Sequence, residues 1–368
     1  MKVAVLRALQ LGDLLCVVPA LRALRHALPQ AQVTLIGLPW AKKFARRFHH
    51  HVDDFLALPG YPGLPEQPLA AAALPAFIAL AQQRKFDLVL QMHGSGVLTN
   101  PLAMLLGGRR TAGFHEAGQY CPDPENFLVW NEDEHEVLRL LRLLSSLGME
   151  ANDTRLEFPL WESDFQALAG CSGKLPARGA YACIHPGARL PSRRWPPERF
   201  AAIADRLSDH GLRIVLTGAV EEAAITDAVG RQMRAPALDL SGKTTLGALA
   251  ALIGDARMMV SNDTGISHIA AAVKTPSVVI CSGANPRRWA PLDRDRHRVL
   301  AAPMVCRPCM HDRCPLAGHP CAANVSVEQV WAEVSNLMKH VKETGDERSA
   351  LQTYLGHRRR RISGIAPL

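Results

Sequence analysis

The stretch "MVSNDTGISHIAAAV" (residues 259–273) opens on an apolar run and ends on an apolar helical stripe, with Ser261, Asn262, Asp263, Thr264 and Gly265 between them. A strand followed at once by a helix is one step of an alternating β/α chain. Turning the chain needs only two or three residues, so five small polar ones require a further reason. Asp263 or Thr264 suits a helix N-cap, accepting a hydrogen bond from a free backbone N–H. The exposed N–H groups of a helix start also form an anion site, where glycine lets a phosphate approach the backbone. A carboxylate there repels phosphate but accepts hydrogen bonds from sugar hydroxyls. Acid, hydroxyl, glycine and His268 one turn into the helix together suit a sugar joined to a phosphate.

The same alternation extends outward from this loop. Apolar strand signals at 181–187, 213–218, 257–261 and 277–283 alternate with helical patterns at 197–209, 220–233 and 265–272. A second series runs through 2–8, 32–37 and 86–92, with helices from Asp13 and near 40–48. Short apolar strands between helices predict parallel α/β sheets. The stretch "GCSGKLPARG" (170–179) reads as a linker between two domains, and "PGYPGLPEQP" (59–68) as an excursion inside the first. The fold class is therefore α/β, two Rossmann-like doubly wound domains with the strand C-terminal ends facing a shared cleft. The boundaries are 1–169, 170–343 and a basic tail, 344–368.

Composition agrees with two domains. The chain has 368 residues, 48% hydrophobic and 21% charged, enough to bury sizeable cores. No apolar run approaches the ~18 residues of a membrane span. Arg7, Gln10, Gly12 and Asp13 interrupt the N-terminal apolar stretch too early for a signal peptide, so the chain is read as cytoplasmic. Net charge is +8, and the first 155 residues are nearly neutral, with 15 basic against 14 acidic side chains. The excess lies downstream and includes "HRRRR" at 357–361. Such a tail suits an anionic membrane surface, giving a peripheral place on the inner face of the cytoplasmic membrane. No nucleic-acid partner is assigned.

The loops after the strands carry the chemistry. The first strand lacks G-x-G-x-x-G, which argues against a dinucleotide dehydrogenase, and G-x-x-x-x-G-K-[ST] is absent too. Gly12 and Asp13 remain at that turn, and Asp13 is either a helix N-cap or a general base facing the cleft. In the second domain Arg189, Arg193 and Arg194 follow a His-Pro-Gly turn, and guanidinium forks suit phosphate oxygens. Glu222, after Gly218, is placed to accept ribose hydroxyls.

Together, "LGDLLCVVPALRALR" (11–25), "HPGA" with "RRWPPERFA" (185–201), "VLTGAVEE" (215–222) and "SNDTGISHIAAA" (261–272) resemble the bacterial heptosyltransferases, glycosyltransferase family 9. The resemblance covers about residues 1–340. It implies a GT-B fold, an ADP-heptose donor and a lipid A-linked core oligosaccharide of lipopolysaccharide as acceptor (Kdo or heptose). It implies Asp13 as catalytic base, with Gly12 in the acceptor-side loop. Arg193 stands where the family usually has lysine, two positions before Trp195, and joins Asp13 as a catalytic residue. Arg194, Glu222, Asp263, Thr264, Gly265 and His268 are the implied donor-binding residues. No cofactor is required for inverting transfer in this reading. Two rivals stand beside it: a same-fold transferase using another nucleotide sugar or a protein acceptor, and a catalytically silent nucleotide-binding protein of envelope assembly.

Three further motifs bear on metals. Asp293 and Asp295 form a D-x-D, the pattern that holds Mg²⁺ on a diphosphate in metal-dependent transferases, but in a charged stretch read as surface. "FHHHV" (48–52) is read as a solvated face. Cys306, Cys309, Cys314 and Cys321, spaced C-x2-C-x4-C-x6-C with His311 and His319 among them, suit structural zinc or iron better than a cytosolic disulfide framework. Reduced thiols in a loop are the alternative.

Overall fold

The computed structural model describes residues 1–171 and 175–343. The arginine run at 357–361 lies outside the described residues, as does the middle of the expected linker.

The first half is a six-stranded parallel sheet: β1 (Lys2–Leu6), β2 (Gln32–Gly37), β3 (Asp54–Ala57), β4 (Leu88–Gln91), β5 (Arg110–His115) and β6 (Phe127–Val129). Its order is β3-β2-β1-β4-β5-β6. The second half repeats it with β7 (Tyr181–His185), β8 (Arg213–Leu216), β9 (Ala237–Asp239), β10 (Met258–Asn262), β11 (Ser277–Ile280) and β12 (His297–Leu300). Read from β9, the order is β9-β8-β7-β10-β11-β12, the same doubly wound topology. The central strands are uninterrupted apolar runs such as Val3–Leu6, fully buried because helices cover both faces of each sheet.

Right-handed crossovers put helices on opposite faces either side of the point where strand order reverses. In the first half α1 (Leu11–Ala27) and α2 (Lys42–Arg47) cover one face. Helices α3 (Leu74–Gln83) and α4 (Thr99–Leu105) cover the other, through Phe77, Ala81, Leu102 and Ala103. Helix α5 (Glu136–Ser146) packs on α1. The second half adds α6 (Glu162–Cys171), α7 (Pro197–Asp209), α8 (Ala223–Gln232), α9 (Leu246–Asp255) and α10 (Gly265–Ala272). Helix α6 packs on α9, so the chain crosses between the halves at 147–161, upstream of the Gly/Pro stretch.

Arginines of the first half fasten that crossing segment. Arg22 donates to the Arg155 carbonyl (2.7 Å) and pairs with Glu157 (3.2 Å). Arg47 donates to the Pro159 carbonyl (2.7 Å) and grips Asp164 bidentately (2.6 and 2.8 Å). His50 and His51 both reach one Glu157 oxygen, at 2.9 and 2.7 Å. The expected solvated face is thus wrong for His51, which is 7% exposed and folded under Glu157.

The halves also meet directly. Helices α1 and α10 pack N-terminus to N-terminus, and one apolar core runs through the contact from Val17 to Ile269. A Cβ on Gly265 would stand 3.1 Å from the Gly12 nitrogen, and one on Gly12 would stand 3.0 Å from His268 Cδ2. Close backbone approach accounts for both glycines.

Beside this contact lies a cluster of buried charges. Glu136, 1% exposed, receives Arg7 at 3.0 Å, Arg139 at 2.5 Å and, from the second half, Arg288 at 3.0 Å. Burial alone would raise the Glu136 carboxyl, but Arg7, Arg288 and Arg139 hold it down at about 2. A pKa depressed from 4.5 adds stability that is complete above 4.5 and is lost as pH falls toward 2. Glu136→Gln leaves buried arginines uncompensated and should cost ~3–5 kcal/mol at pH 7 in urea unfolding. The gap to the native chain should narrow by roughly 2 kcal/mol at pH 3; an equal gap at both pH values would show that folding does not lower the Glu136 pKa.

Candidate active site

The two reversal points, between β1 and β4 and between β7 and β10, face each other across the interface. Doubly wound sheets bind ligands there. The loops leaving β1, β7 and β10 line a cavity of about 640 Å³, within the range of small-molecule sites. Asp13 and Gly12 stand on its first-half wall. Arg189, Arg193, Asp263, Thr264, Gly265 and His268 stand opposite, and Glu222, Thr244, Leu246 and Leu249 line the far end.

Asp13 is not an N-cap. Helix α1 starts at Leu11 with Gln10 as its cap residue, so Asp13 stands in the first turn, where its carboxylate meets the Gln10 main-chain N–H. Its main chain is held by Arg7, whose Nε donates to the Asp13 carbonyl at 2.8 Å. Arg7 is fully buried and also donates to the Met92 carbonyl at the end of β4, so it ties both central strands to this turn. Burial pushes the Asp13 carboxyl above its ordinary 3.8, against the pull of the Arg7 charge.

In the second half, Thr264 takes the cap: its Oγ1 accepts from Ile266 N at 3.4 Å. Asp263 is thereby released from that task. Burial raises its carboxyl, while the Arg193 charge and a thiol hydrogen bond from Cys281 (3.6 Å) oppose the rise. His268 is buried with Nδ1 3.8 Å from the Cys16 sulfur, and burial lowers its pKa to about 4, so the ring is neutral. Glu222 accepts from Ala219 N at 2.8 Å and lies 3.7 Å from His185. A Cβ on Gly187 would fall 2.2 Å from the Glu222 carboxyl carbon, so that glycine admits the acid to the cavity.

The arginine loop is anchored by two motif residues to which no ligand contact is assigned, Trp195 and Asn262. Trp195 is fully buried, its backbone N–H donating to Asn262 Oδ1 (2.9 Å) and its indole to the Val325 carbonyl (2.9 Å). Asn262 in turn donates to the Pro186 carbonyl (2.7 Å), so one buried amide joins both phosphate-type loops. Arg194 departs from expectation. Its Nε is spent on the Ala188 carbonyl (2.9 Å), and the residue is absent from the cavity wall, where Arg189 stands instead.

The cysteine segment braces the same loop. Arg193 donates to the Cys309 carbonyl (2.6 Å), Ser192 N to the Asp312 carbonyl (2.9 Å), and His319 Nε2 to the Ser192 carbonyl (2.9 Å). Cys306, Cys309, Cys314 and Cys321 all line one cavity of about 110 Å³ with His311 and His319. Burial raises the Cys321 thiol, and the other three cysteines reinforce it. Their sulfurs are more widely spread than a bound ion's ligand shell. Among the described residues, the one group with all ligand atoms within 4.8 Å is His50, His51 and Glu157, whose other carboxylate oxygen already faces Arg22. Asp293 and Asp295 are exposed, and Asp293 closes a turn with Arg296 (3.2 Å).

Known proteins with this architecture point one way. The glycosyltransferase family 9 (heptosyltransferase) model matches residues 77–319. Lipooligosaccharide heptosyltransferase 2 of Campylobacter jejuni is 26% identical over 57% of this chain, and the match spans 66% of that relative's length, just under two thirds. Two solved structures share the fold, each with a TM-score of 0.71. The Escherichia coli ADP-heptose lipopolysaccharide heptosyltransferase II is 19% identical, covering 93% of this chain and all of its own. The family 9 glycosyl transferase of Veillonella parvula is 21% identical, with 92% and 97% covered. With its motifs on the two facing loops and most of its length matched by the family model, the chain belongs to glycosyltransferase family 9.

Proposed function

We propose that this protein is an inverting heptosyltransferase that moves heptose from ADP-heptose to a lipid A-linked core sugar of lipopolysaccharide. The observation that carries the reading is the buried carboxylate of Asp13 facing, across one cavity, Arg193 and the N-terminus of α10. The ADP portion lies along the second-half wall, with the adenine toward Leu246 and Leu249 and the ribose hydroxyls on Glu222. The diphosphate meets Arg193, Arg189 and the amides after Thr264, donors already fixed before any charge develops. Asp263, raised by burial but next to Arg193, orients the heptose hydroxyls.

An acceptor hydroxyl entering from the first half reaches Asp13, which takes its proton as oxygen attacks the anomeric carbon. The bond from that carbon to the donor phosphate breaks on the opposite face, and ADP leaves with the electron pair. Departure needs no metal in this reading, because arginine and a helix N-terminus carry the charge while the D-x-D stands at an exposed turn away from the cavity wall. The reaction takes place on the inner face of the cytoplasmic membrane, where the protein is peripheral. Among the described residues no helix is long and apolar enough to cross a membrane.

The cysteine segment is proposed to hold a structural zinc or iron ion. Four thiols around one cavity supply a suitable donor set, and the sulfurs would draw in to about 2.3 Å from the metal. The ion takes no part in transfer. It would stiffen the segment whose carbonyls hold Ser192 and Arg193.

Two measurements test these readings. Asp13→Asn keeps the shape but cannot take a proton, so kcat should fall ~10²–10⁴-fold. In the native enzyme kcat should decline as pH falls through a carboxyl pKa above 3.8, a limb that is lost in the variant; normal turnover in Asp13→Asn removes this residue from the mechanism. Protein purified without chelators should carry close to one zinc or iron per chain, reduced to none when Cys309 is replaced. Freely reactive thiols with no metal would leave only an ordinary loop.

A further inference from the structure

The outer surface of α3 and α4 is apolar where a solvated helix face is expected. Among the described residues, six of the fifteen exposed large apolar side chains are Leu69, Leu80, Val97, Leu98, Met104 and Leu105, each 40–45% exposed. Along α4 and the turn before it the spacing is that of one helix face: 97, 98, 101, 104 and 105 are exposed while 99, 100, 102 and 103 are buried. Helix α3 lies beside it, joined where Gln82 Nε2 donates to the Leu105 carbonyl at 2.9 Å. No residue from 67 to 83, or from 94 to 108, is charged. Both segments leave the cleft end of their strands, and Gly63 lies against Leu98 at that end.

Basic residues collar the opposite end. Arg84 and Lys85 follow α3, Arg109 and Arg110 follow α4, and Lys2 reaches the Arg84 carbonyl at 3.1 Å. Asp54 and Asp87 pair with Arg84 and Arg109, and Asp123 lies near Arg110, both on Asn126. Five cations against three acids leave the collar positive. An apolar face bordered by cations matches an anionic bilayer, whose headgroups attract the charges while its acyl boundary accepts the leucines.

We infer that the α3–α4 face is the membrane-docking surface of this protein and that it seats on anionic phospholipid. This rests on the lipid-linked acceptor proposed above. The face begins at the first-half rim of the cleft, so a core sugar standing up from the bilayer enters on the Asp13 side, while the nucleotide wall stays toward solvent.

The test is co-sedimentation of the full chain with vesicles of phosphatidylethanolamine and phosphatidylglycerol, against vesicles of phosphatidylcholine. The native protein should bind the anionic vesicles. Leu80→Glu with Leu105→Glu, and separately Lys85→Glu with Arg109→Glu, should each weaken binding about tenfold or more. Both variants should keep native ADP affinity and native turnover on a lipid-free core acceptor, and lose turnover on the same acceptor embedded in vesicles. Native-like vesicle binding by both variants would overturn the inference and leave the arginine-rich tail as the anchor. A dimer in light scattering that Leu105→Glu dissociates would also overturn it, giving the face to a second copy. Failure to glycosylate either acceptor form would overturn the transferase reading instead, while vesicle binding would still judge the surface.

Discussion

A single carboxylate shared among three arginines organises the middle of this molecule. Glu136 takes Arg7 from just past the first strand, Arg139 from its own helix and Arg288 from the other half, all with little or no water access. Such a cluster is an expensive way to fill space, because each charge must be stripped of water before any attraction is recovered. Here it sets geometry. Arg7 reaches past Glu136 to the Asp13 carbonyl, so the turn that presents Asp13 is held by an arginine paired with the carboxylate that meets Arg288 of the second half. Segment 285–290 adds further contacts, Asn285 to Asp133 (3.0 Å), Arg288 to Glu132 (2.9 Å) and His135 to the Ala290 carbonyl (2.8 Å). The position of Asp13 is therefore tied to the approach of the two halves.

The second half shows a comparable economy. Asn262, at the end of β10, holds both the turn after β7 and the backbone of Trp195, so two donor loops share one anchor. The cysteine segment presses on the same loop from outside through Ser192 and Arg193. Gly283 shows how tight this packing is, since a Cβ there would meet the Cys309 sulfur at 2.8 Å and Arg193 at 3.5 Å. The arginine expected to meet the leaving group is thus locked between a buried tryptophan and a cysteine-rich brace.

Much of this was legible from the chain because its central strands are continuous apolar runs with polar loops at their C-terminal ends. The edge strands β3, β6, β9 and β12 are three or four residues long and partly exposed, so they lack that pattern. Asp13, Arg193, Asp263 and Glu222 reach the cavity wall because each sits just past a strand, where the topology demands it. Arg194 does not, since adjacent residues on a short turn point apart and composition cannot say which one faces inward. Arg7 and Glu136 carried no signal at all: a buried ion reads in sequence like a surface charge. His51 misled for the same reason. At the expected linker, Gly and Pro mark a break in structure but not which helix packs on which side of it.

The central claim is that the second-half wall is built for ADP beside a sugar. Titration calorimetry of the purified chain with ADP and with UDP tests it most directly. The account predicts that ADP binds more tightly, its purine filling the Leu246–Leu249 end of the cavity. A tenfold preference for UDP, about 1.4 kcal/mol in the wrong direction, would contradict it.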